Sequence, residues 1–108
     1  MSRITPIRGP LGLRTQSFVS PKLRKFARGQ QCSMMLPGIC NHDPETTVLC
    51  HVRAFGMAGM AEKPHDFFAW HGCSACHAHE KEAGWDDVFR AMMITQKRVF
   101  DEFGSLTP

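Results

Sequence analysis

Apolar side chains recur at three- and four-residue steps through Trp85, Val88, Phe89, Met92, Met93, Val99, Phe100 and Phe103. That spacing marks one face of an α-helix. Asp86 and Asp87 fall in its first turn, Lys97 and Arg98 lie nearer its end, and Gly104 stands where it would close. The methionines and aromatics of this helix are expected to pack into the core. A shorter basic helix is expected from Pro21 to about Arg28, with Ser20 as cap, proline in the first turn and Gly29 as stop. Between the helices the pattern changes. TTVLCHVR, Thr46 to Arg53, is β-branched and apolar, and DFFAWHG, Asp66 to Gly72, is rich in aromatics; both predict strands. The glycine-bearing AFGMAGMAEKPHD that joins them predicts a connection. A polar helical stretch is expected from Cys76 to about Ala83, broken by Gly84.

Two segments carry no period. Residues 1–19, with Pro6, Gly9, Pro10 and Gly12, read as a flexible basic arm. QQCSMMLPGICNHDPET reads as a knuckle turned at Pro37-Gly38. No internal repeat is present. A length of 108 residues suits one domain, here 20–108, of small α+β class, and a chain this short gains from a staple.

Charge changes the picture. The net charge is +3, yet the first thirty residues hold seven basic side chains and no acidic one. The rest of the chain is mildly acidic. A basic arm on such a body suits a polyanion, and Arg24, Lys25, Arg28 and, on the first strand, Arg53 are candidates for phosphate contact. No secretory signal or membrane-length apolar run is present, so the chain is expected in the cytoplasm of a bacterial host cell, with no membrane partner.

In that compartment clustered cysteines favour metal over disulfides. Cys32 and Cys40 form one pair, Cys73 and Cys76 another, and together they suit one tetrahedral structural zinc. Cys50 reads as a small buried side chain. Cys73-x-x-Cys76-His77 also matches a c-type haem attachment motif and, less well, a redox dithiol. Haem attachment belongs outside the cytoplasm and leaves Cys32 and Cys40 unexplained. A thioredoxin-like dithiol needs more strands than this chain offers.

The chain order is knuckle, strand with the late His51, strand, knuckle, then His77 on a helix. With LRKFARGQQC, PGIC, PETTVLCHVR, KPHD and CSACH, this resembles the small HNH-type nucleases of lambdoid phages and prophages, the YbcO-like family. The resemblance covers Arg24 to about Glu80. It implies a zinc-stapled ββα-metal core with a basic N-terminal helix or arm and a C-terminal amphipathic helix. It further implies DNA as partner, with phage recombination or packaging proteins, and Mg2+ or another divalent cation as catalytic cofactor. His51 would be the general base and His77 a ligand of that cation. Asp66 would orient the loop or serve as a second ligand, because Cys50 occupies the usual ligand aspartate's place and a thiol suits magnesium poorly. His71, His79 and Glu80 are near enough in sequence to contribute; His42 and His65 are assigned nothing. A second reading is a zinc-stabilised nucleic-acid-binding or adaptor module whose nuclease constellation has decayed.

Overall fold

The computed structural model describes residues 17–52 and 64–108. Most of the expected arm and the Arg53 candidate lie outside the described residues. The arm's last residues, 17–19, are tied down. The Phe18 N–H donates to His65 Nδ1 at 2.9 Å, and the Asp66 N–H donates to the Phe18 carbonyl at 2.9 Å.

Helix α1 is Pro21–Ala27, capped by Ser20, whose hydroxyl accepts from the Leu23 N–H at 3.1 Å. Strands β1, Val48–His51, and β2, Ala69–Gly72, form one antiparallel ribbon that pairs Leu49 with His71, Cys50 with Trp70 and His51 with Ala69. Helix α2, Ser74–Ala78, follows at once, and α3 runs Trp85–Phe103 to Gly104 at φ +71°, a left-handed cap. Helix α3 lies against β2, and α1 against β1.

Both strands are shorter than the side-chain pattern predicts. Thr46 belongs instead to a 3-10 turn, Pro44–Thr46, where the Asp43 carboxylate accepts from the Glu45 N–H at 3.0 Å. Asp66 to Phe68 form a turn ahead of β2, closed by the Phe68 N–H on the His65 carbonyl. The expected helix from Cys76 begins two residues earlier, because the Cys73 sulfur caps it by accepting from the Cys76 N–H at 3.3 Å. It ends at His79, and Glu80–Glu82 form a separate 3-10 turn.

The expected burial of the α3 aromatics and methionines holds for Met92, which packs against the core, and is corrected for others. Ala91, Thr95 and Val99 are buried, whereas Trp85, Phe89, Met93 and Phe100 are exposed. Small side chains let the helix approach the ribbon. The His71 N–H then donates to the Thr95 hydroxyl at 2.9 Å, and that hydroxyl reaches Ser33 Oγ at 3.3 Å. Ser33 also donates to the His71 carbonyl from its N–H and its hydroxyl. The outer edge of β2 at His71 is therefore consumed rather than left as a template for another strand.

On the opposite face Trp70, Met34, Cys50 and Val52 pack with Cys32, Cys73 and Cys76. Gly72 is required here, because a β-carbon would run into the Trp70 ring and sit 2.8 Å from the Cys50 sulfur. Gly72→Ala is expected to cost about 1–3 kcal/mol by overpacking and to lower Tm by roughly 5–20 °C, read by thermal unfolding. An unchanged Tm would show that the Trp70 ring is free to move aside.

Candidate active site and metal centre

The knuckle of residues 32–40 folds over the β2–α2 junction and brings the sulfurs of Cys32, Cys40, Cys73 and Cys76 within 4.8 Å of one another. Zinc–sulfur bonds of 2.3 Å in a tetrahedron place sulfurs about 3.8 Å apart, and the Cys40 and Cys73 sulfurs stand 3.8 Å apart. Backbone N–H groups point at the cluster. Met35 donates to Cys32 at 3.4 Å, Leu36 to Cys76 at 3.4 Å and Cys76 to Cys73 at 3.3 Å. Such donors stabilise thiolates. Burial opposes ionisation of Cys73, but the N–H groups of Cys76 and Asn41 outweigh it and bring the thiol down to about 7. Burial pushes Cys50 the other way, up to about 12. Burial pushes the Cys40 and Cys76 thiols up, so it is the closeness of the four sulfurs that lets these cysteines hold a metal ion such as zinc; Cys50 stands beside them as a protonated core side chain.

On the other side of the ribbon lies an ionic knot. Asp66 is 1% exposed, and four donors converge on its carboxylate. The Ser20 N–H (2.8 Å) and Arg24 Nε (2.9 Å) meet Oδ2; the second Arg24 nitrogen (3.0 Å) and His51 Nε2 (2.8 Å) meet Oδ1. Burial alone would raise this carboxyl, but Arg24, His51 and Ser20 together hold it down at about 2. Asp66 is thus an anion at neutral pH and can only accept. The proton of a neutral His51 ring must then sit on Nε2, which leaves the lone pair on Nδ1. That is the tautomer a general base needs.

His51 lines a cavity of ≈ 400 Å³ with Trp70, Glu80, Lys81, Trp85 and Val88. An imidazole, a carboxylate and a lysine side chain therefore line one cavity. Among the expected site residues, the structure joins His51 to Asp66 and joins the four cysteines to one another. His77 sits on the exposed side of α2 and is not part of the cavity wall. Arg24 is engaged by Asp66 with its side chain 53% exposed, while Lys25 and Arg28 are exposed at and after the end of α1. His71 is buried. Burial, then Arg98, brings it down to about 4; its Nδ1 faces Arg98 at 3.1 Å, and its Nε2 has no hydrogen-bond partner among the described residues. His79 Nδ1 lies 3.0 Å from the Ala75 carbonyl on the exposed surface.

Lys81 is assigned no role from the sequence, and Trp85 is expected there as part of the packed helix face; both line the cavity. The signal that places them is the break at His79, which turns the chain back toward β1 and carries Glu80, Lys81 and Trp85 with it.

The family model described as "Putative nuclease YbcO" matches residues 21–99. Two curated relatives, "Putative nuclease YbcO" of Escherichia coli (strain K12) and "Putative nuclease ybcO" of Enterobacteria phage 82, are each 53% identical to the chain over 55 residues. The matched stretch is 51% of this chain and 57% of theirs, so the chain spans just over half the length of these relatives. A solved chain described as "Structure of a putative bacteriophage protein from Escherichia coli str. K-12 substr. MG1655" superposes with a TM-score of 0.56 at 32% identity. It covers 75% of this chain and 98% of its own.

Metal analysis after dialysis is expected to give about one zinc per chain, and strong chelation is expected to unfold the protein. Two disulfides or a haem Soret band would end the zinc assignment. Asp66→Asn is expected to keep the zinc but lose about 1–3 kcal/mol of stability, because an amide N–H₂ must now face donors. An unchanged denaturation midpoint would contradict the converging-donor geometry.

Proposed function

The chain belongs to the YbcO family, and on that premise we propose that it is a metal-dependent DNA endonuclease of the HNH class. We take it to be phage or prophage encoded and to act in recombination or DNA processing, in the host cytoplasm, alongside recombination or packaging proteins. The observation that carries this reading is the 2.8 Å contact between an ionised, buried Asp66 and Nε2 of His51, a residue that also lines a cavity. A base needs its ring fixed and its tautomer set, and this contact supports both.

In the proposed reaction His51 Nδ1 takes a proton from a water held in the cavity. The water oxygen forms a bond to phosphorus, and the bond from phosphorus to the leaving sugar oxygen breaks. Asp66 stabilises the imidazolium that results and holds the ring in place. Lys81, on the same wall, faces the phosphate as a point charge. A divalent cation such as Mg2+, when bound, supplies neutralisation of charge at the phosphate. Two residues are candidates to hold it, His77 from the family resemblance and Glu80 from its place beside His51. A carboxylate oxygen suits such a cation well. Arg24, Lys25, Arg28 and Arg53 are proposed to meet the DNA backbone, and the four cysteines to hold a structural zinc.

One observation favours the second reading, a decayed nucleic-acid-binding or adaptor module. Cys50 replaces the usual ligand aspartate, and its buried thiol stays protonated. Activity decides between the two readings. The pure protein is expected to cut plasmid or single-stranded DNA with magnesium, manganese or nickel. His51→Ala should lower the rate by about 10²- to 10⁴-fold with zinc content and DNA binding intact. Glu80→Gln and His77→Ala separate the candidate ligands, because loss of the true one should be partly restored by raising the metal concentration. A His51→Ala protein that cuts as fast as its parent would remove His51 from the chemistry.

A further inference from the structure

The surface beside α1 carries a second recess that the proposed chemistry does not use. It measures ≈ 380 Å³ and is lined by Lys22, Lys25, Phe26, Arg28, Gln30 and Phe103. Lys22 and Lys25 lie one turn apart on the helix, and Arg28 follows its end. No ion pair among the described residues neutralises any of the three. Phe26 and Phe103 meet edge to face with ring centroids 5.3 Å apart, and both are only half-buried. The Gln30 amide adds a donor and an acceptor to the same wall.

This recess is linked to the candidate active site through shared lining residues. Arg28 also lines the adjoining cleft, where Arg24, Val48, Leu49 and His51 form the walls. His51 in turn lines the cavity with Glu80 and Lys81. Three concavities thus run in series, joined first at Arg28 and then at His51, with cations along the first two.

We propose that this series is the track of a single DNA strand, with one unpaired base seated against Phe26 and Phe103 and the backbone led past Arg28 to His51. Cations alone would serve duplex or single strand equally, since both present phosphates. The aromatic pair makes the distinction. A stacked duplex offers its bases' faces to no side chain, whereas an unpaired base offers a π-face that aromatic rings take up irrespective of sequence. Gln30 can bond the exposed edge of such a base. The substrate class is therefore single-stranded DNA or an unpaired branch of a larger DNA. The inference deepens the endonuclease reading and rests on it only for the cut at His51; the binding stands by itself.

The test is fluorescence anisotropy of the full chain with its metal, using labelled oligo-dT and a duplex of equal length over a range of salt. Oligo-dT is expected to bind more tightly. Phe103→Leu should weaken oligo-dT binding by about 5- to 100-fold while Phe103→Trp keeps it, since only stacking separates the two. Lys22→Glu with Lys25→Glu, both exposed, should flatten the log–log salt dependence by roughly 0.7 for each phosphate no longer neutralised. Zinc content and thermal unfolding confirm that each variant is folded. Duplex bound as tightly as oligo-dT, or equal binding by Phe103→Leu and Phe103→Trp, overturns the proposal. So does a clear preference for oligo-rU of the same length. Cleavage separates this inference from the one it rests on. A parent protein that binds oligo-dT as described but cuts nothing retires the endonuclease reading and leaves the track. One that cuts duplex through His51 without single-strand preference does the reverse.

Discussion

A buried carboxylate must find donors or give up its charge, and Asp66 finds four. Ser20 is the cap of α1, Arg24 belongs to its middle and His51 ends β1. One anion therefore fixes where the first helix starts, how it leans on the ribbon and how the imidazole is turned. Nothing apolar could replace it, because removing the charge would leave four polar groups facing one another. The same carboxylate that holds α1 in place also orients the His51 ring, so the helix and the imidazole depend on one group.

The cysteine cluster performs the matching task on the opposite face. Residues 32–40 form no helix or strand, yet Cys32, Met34 and Leu36 are buried. Their order comes from the sulfurs, from N–H groups aimed at those sulfurs, and from Ser33 bonded to β2. Four residues in each strand would make a marginal ribbon in isolation. The knuckle and α3 pack together with β2, through Met34, Trp70 and Ala91, while α1 lies against β1, so the ribbon is held along both strands.

Local chemistry was legible in the sequence. The Ser20-Pro21 start of α1, the Gly104 end of α3 and the pairing of Cys32 and Cys40 with Cys73 and Cys76 each depend on neighbours close along the chain or on a distinctive residue type. What depends on distance was not legible. Arg24 looks like one cation among several until Asp66, far away in sequence, claims it. The rotation of α3 was hidden because apolar residues surround much of that helix; Ala91 and Thr95 decide the packed face by being small. Glu80 and Lys81 reach the His51 cavity only because the chain breaks at His79, and neither residue announces that destination.

The bonds that define this fold join residues remote in sequence: Ser20 to Asp66, Ser33 to His71, Leu36 to Cys76 and Ser33 to Thr95. Synthesis proceeds from the N-terminus at about 5–20 residues per second. Cys32 and Cys40 therefore leave the ribosome well before the sulfurs that complete their site, and α1 emerges long before its anion. Until Cys76 is clear, Cys32 and Cys40 lack the other two sulfurs of their cluster. The contacts of α1 and of the first cysteine pair thus wait for Asp66, β2 and the cysteine pair that follows it.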